Sequence, residues 1–138
     1  MGYIDNDYLM RYFNQLGVVI AKILGLKTSG KLEEAHQVID NSLTDFGLKR
    51  SEYYLSIDIS GLVGELLESQ GLNMGQIKTL AELLFEKGEI EKEQGNLMIS
   101  RHYYSRALVL LNYVTEAEKI FSFEREDKIK KIKSILES

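Results

Sequence analysis

Apolar residues recur three and four places apart along nearly the whole chain, and glycine, never proline, interrupts them. That combination constrains the fold more than any other feature. A spacing of three and four lines one face of an α-helix. A chain without proline lacks a residue common in the turns of β-sandwiches and loop-rich folds, whereas long helices lose nothing by its absence. The pattern therefore predicts an all-α protein.

A first helix is expected from a cap at Asp5 or Asn6 to about Leu26, with Tyr8, Leu9, Tyr12, Phe13, Leu16, Ile20, Ile23 and Leu24 on its apolar stripe. After a turn at Thr28-Ser29-Gly30, a second helix runs from about Lys31 to Phe46 on Leu32, Ala35, Ile39, Leu43 and Phe46, and Gly47 closes it in the left-handed region. Residues 48–57 give no firm pattern. A short middle helix over about 58–69, capped by Ser56 or Asp58, ends at Gly71. Asn73 and Gln76 form a capping box for a helix reaching about Gln94, with Ile77, Leu80, Ala81, Leu84 and Phe85 inward. Gly95-Asn96 makes the next turn. The following helix carries Leu97, Ser100, Tyr104, Ala107, Leu108 and Leu111 and breaks between Val114 and Ser122. Tyr103 and Tyr104, about 100° apart on that helix, are expected to split between inside and outside. A last helix over about 123–136 sets Ile129, Ile132 and Leu136 against lysines. The sum is five to six helices in a single domain over residues 1–138, with antiparallel hairpins at about 5–46 and 74–114.

Composition narrows the function. The 138 residues suffice for one ordinary core. The absence of cysteine removes disulfides, thiolate metal sites and thiol nucleophiles, and suits a reducing compartment. A net charge of −4 gives the whole molecule no attraction to nucleic acid or anionic lipid, so neither partner is expected. MGYIDNDYLM has no basic segment before an apolar one, and the longest apolar run, Val18 to Ala21, is far too short to span a bilayer. The expected location is cytoplasmic.

Shifting the chain by 65 places sets Gly95 on Gly30, Leu97 on Leu32, Ser100 on Ala35, Ala107 on Ser42 and Leu108 on Leu43. Two related hairpins flanking a middle unit are the simplest account. Gly88, Gly95, Asn96, Ser100, Tyr104, Ala107 and Leu108 resemble the second half of a tetratricopeptide repeat (TPR). In that motif small residues bring two helices close and an aromatic fills the gap beside them. The sequence departs from it at Leu84, Glu91 and Ser100 and lacks the closing proline. The stretches YIDNDYLMR, LAELLFEKGEIEKEQGN and FSFEREDKIKKIK resemble a family of small bacterial proteins classed as a domain of unknown function. That likeness implies a bacterial, cytoplasmic origin and no particular activity.

The TPR resemblance implies a groove lined by the first helix of each hairpin, here Glu82, Phe85, Glu89, Lys92 and Glu93. Such an acidic surface favours a basic or amphipathic peptide over a free acidic C-terminus. The alternative for these positions is a plain solvated helix face. Arg125, Lys128, Lys130, Lys131 and Lys133 form a basic tail. It is the soluble side of a terminal helix, a binding element, or a cover for the acidic groove within the chain or in a dimer. Glu33 and His36 have the spacing of a helical di-iron half-site, but Ile99 stands three before His102, so the second half fails. No phosphate loop, HExxH motif or nucleophile elbow appears. Three readings follow: a non-enzymatic module binding an unidentified protein or peptide, without catalytic residues, metal or cofactor; a self-associating bundle, as a homodimer; and an enzyme or metal protein, which no motif supports.

Overall fold

Every regular element of the computed structural model is helical; it describes residues 2–138, with side chains from Met10 onward. Seven α-helices follow in order, α1 (Gly2–Thr28), α2 (Leu32–Asp45), α3 (Ser51–Ser56), α4 (Leu62–Gly64), α5 (Met74–Glu93), α6 (Leu97–Glu118) and α7 (Phe123–Glu137). No strand occurs among the described residues.

Seven helices replace the five to six expected, because the middle of the chain is wound differently. Residues 48–57 contribute α3, and the single helix expected over 58–69 divides into a 3₁₀ turn at Ile59–Gly61, the short α4 and a π-turn at Glu65–Ser69. Gly61 and Gly64 weaken any continuous helix there. Leu62 and Leu66 are nevertheless fully buried, so the apolar spacing survives while the winding changes. Neither expected cap applies as drawn: Asp58 precedes the 3₁₀ turn without a side-chain cap bond. Likewise α1 already runs through positions 5 and 6, so Asp5 and Asn6 do not begin it. Their side chains, like those of Tyr8 and Leu9, lie outside the described ones.

The two long hairpins turn in the same way. At the first, Gly30 has φ 74°, its N–H donates to the Lys27 carbonyl at 3.0 Å, and the Lys31 N–H donates to Leu26 at 2.8 Å. At the second, Gly95 has φ 82°, its N–H donates to Lys92 at 3.1 Å, and the Asn96 N–H donates to Glu91 at 2.9 Å. Each atom pair of the first turn maps onto the second at the 65-residue shift read from the sequence. Glycine is required at both because the left-handed region crowds any Cβ.

The α5/α6 pair makes the most extensive helix contact, and α5 also packs on α1 and α2, while α7 lies on α6. The capping box at Asn73 and Gln76 forms as expected, with Asn73 Oδ1 accepting from the Gln76 N–H at 2.8 Å. Helix α5 is buried nearly all round, as befits the central helix of an assembly: Ile77, Leu80, Ala81, Leu83, Leu84 and Ile90 are all inaccessible. Ser100 donates to the Gly88 carbonyl at 2.8 Å, tying α6 to α5 where small side chains let the helices approach.

Several inward assignments change, among them Ile59 and Leu67, expected inward on the middle helix with Leu62, Val63 and Leu66 but exposed where its winding changes. Phe13 and Leu24 belong to the apolar stripe of α1 but are 72% and 47% exposed, because α1 packs mainly on α2 and α5 and its stripe is wider than that contact. Leu97 is exposed, since α5 ends at Glu93 and leaves the first turn of α6 without a partner. Tyr103 and Tyr104 do not split; both are buried. Tyr104 turns to α5, where it meets Phe85 edge-on at 5.8 Å, and Tyr103 turns to Ser51 of α3. Burial pushes the Tyr103 phenol up to about 12.

Candidate functional site

Three of the five candidate groove residues, Glu82, Phe85 and Glu89, share one face of α5, and that face is covered. Glu82, Phe85 and Glu89 point to one side of the helix, and α7 lies across them. Lys128 pairs with Glu82, and Lys131 with Glu89 at 3.0 Å. Both ammonium groups stand over the Phe85 ring, at 5.6 and 5.5 Å from its centre. Phe85 is consequently only 5% exposed. The face is therefore a seam between two helices of the same chain, with cations against both carboxylates and an aromatic face.

Three further residues enter the seam that the sequence reading left out. Lys27, in the last turn of α1, pairs with Glu86 at 2.9 Å and Glu89 at 3.6 Å. Tyr104 of α6 donates its hydroxyl to Glu89. Glu86 stood in the sequence as one of four glutamates spaced three and four apart. Lys27 gave no comparable signal, because its role depends on where α1 ends relative to α5. Burial raises the Glu86 carboxyl above the usual range, against the opposing pull of Lys27. Burial also acts to raise Glu89, but the Tyr104 hydroxyl, Lys131 and Lys27 outweigh it and hold that carboxyl below its usual value. Burial and the adjacent Glu89 carry the Tyr104 phenol far above its ordinary value.

Lys92 and Glu93 do not join this seam; both are exposed at the end of α5. Lys130 and Lys133 lie on the outer, exposed side of α7. Arg125 turns back to α6, donating to the Thr115 hydroxyl at 2.9 Å and pairing with Glu118 at 3.6 Å. The basic tail thus splits into three inward cations and two outward ones.

An open groove lies beside the seam. It encloses about 320 Å³ between α1, α5 and α7; Phe13, Leu16 and Ile20 form one wall, and Leu111 and Val114 of α6 line it as well. Lys78, Glu82, Arg125 and Lys128 edge it, and a second hollow of about 310 Å³ continues it past Phe13 toward Met10 and Gly75. The segment leading into α7 borders the groove at Ser122 and Glu124 and leaves Ile120, Phe121 and Phe123 at least 66% exposed. Phe121 and Phe123 meet edge-on at 4.7 Å.

The histidine reading resolves into a polar joint between α2 and α5. His36 Nδ1 accepts from the buried Lys87 ammonium at 2.9 Å, and Nε2–H donates to Gln94 at 2.9 Å. The tautomer with its proton on Nε2 meets both partners. Glu91 stands 4.0 Å from Nε2, Lys87 also faces Asp40 at 3.6 Å, and Gln94 donates onward to Glu33 at 3.1 Å. Both ring nitrogens are therefore engaged within the protein, and His102 is exposed on a separate helix. Among the described residues no three His, Cys, Asp or Glu side chains gather as metal ligands.

No family model matches the chain, and neither a curated protein nor a solved structure matches it. Among the described residues no helix is long and apolar enough to cross a membrane.

Proposed function

We propose that this protein is a non-enzymatic binding module of TPR-like organisation that takes up an amphipathic peptide segment in the groove between α1, α5 and α7. The observation that carries this reading is Phe13, a large aromatic 72% exposed on the wall of an apolar groove. A large exposed ring beside half-buried Leu16 and Ile20 is costly to leave in water and gains by being covered. Ion pairs along the rim suit a segment with one apolar and one charged face. The TPR-like arrangement is supported by the two equivalent turns and by the Gly88–Ser100–Tyr104 contact. A bacterial, cytoplasmic setting is carried by the sequence resemblance.

The test is a photo-crosslinking amino acid placed at position 13 in cells, with position 68 on the exposed side of the π-turn as control. A discrete adduct to another protein at 13 and none at 68 supports the groove. Equal or absent labelling at both positions removes it.

Self-association is the second reading, favoured by the exposed Ile120-Phe121-Ser122-Phe123 segment next to the groove. Sedimentation of the wild type against a Phe121→Ser, Phe123→Ser variant separates the two: a dimer lost in the variant favours the second reading, and a monomer throughout favours the first.

A further inference from the structure

We propose that α7 is a displaceable ligand of α5, and that the face of α5 formed by Glu82, Phe85 and Glu89 accepts a basic amphipathic helix supplied by another protein. This names a partner class for the module and rests on the binding reading, on an α5 face that adjoins the Phe13 groove and shares Glu82 and Lys128 with it. The chemistry of the occupant is on view in α7 itself. Its inward face repeats cation–apolar–cation–apolar, as Lys128, Ile129, Lys131 and Ile132. The lysines meet two carboxylates and share the Phe85 ring, while Ile129 and Ile132 are its buried positions.

The attachment of α7 has the composition of a reversible contact. Two buried isoleucines, Ile129 and Ile132, with half-buried Ile135 and Leu136 against the core, are a modest apolar anchor for a helix of 15 residues. Much of its grip is polar: the two lysine pairs, Arg125 on Thr115 and Glu118, and Arg101 of α6 donating to the last carbonyls of α7 at Ile135 and Leu136. The link to α6 is short and its apolar residues are exposed. Helix α6 stops at Lys119, which takes φ 57°, a region where a non-glycine side chain is strained. Ile120 and Phe121 then run through solvent. Nothing apolar in that link holds α7 to the core. A helix carrying the same four-residue pattern would offer α5 the same contacts and compete on equal chemistry, and the apparent affinity would be set by how often α7 is off.

The experiment uses the whole chain and a fluorescent synthetic peptide of residues 121–138. Anisotropy is measured against wild type, a Lys128→Glu, Lys131→Glu chain and a Glu82→Lys, Glu89→Lys chain. The first variant keeps the acidic face but repels its own α7, so it is expected to bind the peptide at least roughly ten-fold tighter than wild type. The second should not bind it, but should bind a peptide carrying the reversed charges at the positions of Lys128 and Lys131. Equal binding to all three chains, or no binding to the first variant, overturns the proposal. If the second variant fails to fold, hydrogen exchange on wild type decides with the first: α7 amides exchanging faster than those of α5, and faster still when salt rises from about 50 to about 500 mM, are expected. Protection of α7 equal to that of α5 and indifferent to salt overturns it. Crosslinking at position 13 reads the groove separately: a failed peptide titration with that crosslink intact removes the displacement alone, whereas failure of both removes the binding reading on which it rests.

Discussion

Gly88 and Tyr104 occupy one space: a Cβ built on Gly88 would stand 2.9 Å from the Tyr104 ring. The ring cannot easily give way, because it is fully buried, leans edge-on against Phe85 and is held at its hydroxyl by Glu89. The glycine is there to admit the ring, and the ring sets the distance between α5 and α6.

Gly88→Ala should therefore destabilise the protein by about 1–3 kcal/mol, the usual range for overpacking a close contact. Denaturant unfolding measures the loss. In a Tyr104→Leu background the same substitution should cost less, since the collision partner has gone. An undiminished loss would place the strain elsewhere.

Lys87 and His36 should respond asymmetrically. Removing the acceptor, as His36→Leu, leaves a buried ammonium short of a partner and should cost about 1–3 kcal/mol. Removing the ammonium, as Lys87→Met, leaves His36 Nδ1 and Asp40 within reach of water, their side chains being 14% and 22% exposed, and should cost less, about 1 kcal/mol. Thermal melts of both variants check this, and equal losses would contradict it.

Glu86 and Glu89 share Lys27 yet are shifted in opposite directions, and their pH signatures should be opposite. Glu89 is held low, so its contribution is present above the ordinary carboxylate value and is lost as pH falls through its folded value. Glu86 is held high, so its contribution is present below the ordinary value and is lost as pH rises through its folded value. In stability profiles from about pH 7 to about pH 3, the gap between wild type and Glu89→Gln should close toward acid. Wild type should gain on Glu86→Gln over the same descent. Parallel profiles would show that neither carboxyl is linked to folding as described.

Arg106 of α6 holds the end of α3. Its guanidinium donates to the carbonyls of Tyr54 and Leu55, each at 3.2 Å, and of Ile57 at 3.0 Å. Those carbonyls lie where a helix has no acceptors' partners of its own. Arg106→Ala should cost about 1.5–3 kcal/mol. Hydrogen exchange should rise first at residues 51–57, and a uniform rise across the chain would assign Arg106 a general packing role instead.

The helices and their turns were legible because periodicity and left-handed glycines are local signals. Gly30, Gly47 and Gly95 all adopt positive φ, and Ala35, Ile39, Leu43, Leu80 and Leu84 all face the core. The winding of residues 48–57 was not legible, because Arg106, some fifty positions away, supplies donors to its last carbonyls. The candidate site divides the same way. The TPR resemblance implied one face of α5 with Glu82, Phe85 and Glu89. That Lys128 and Lys131 cover it, while Lys92 and Glu93 stand apart, depends on how α7 folds back, and no local pattern encodes that. Phe13 was misplaced because periodicity says which residues share a stripe and not how much of the stripe a neighbour covers.

The joint between α2 and α5 also determines how the two hairpins would part under force. Greasy surfaces slide before they separate and yield over several ångströms. The His36, Lys87 and Gln94 contacts are directional and close to ideal length, so a small displacement forfeits most of their strength. Loaded along that boundary, this molecule should behave as a brittle solid, stiff up to a threshold and then failing abruptly.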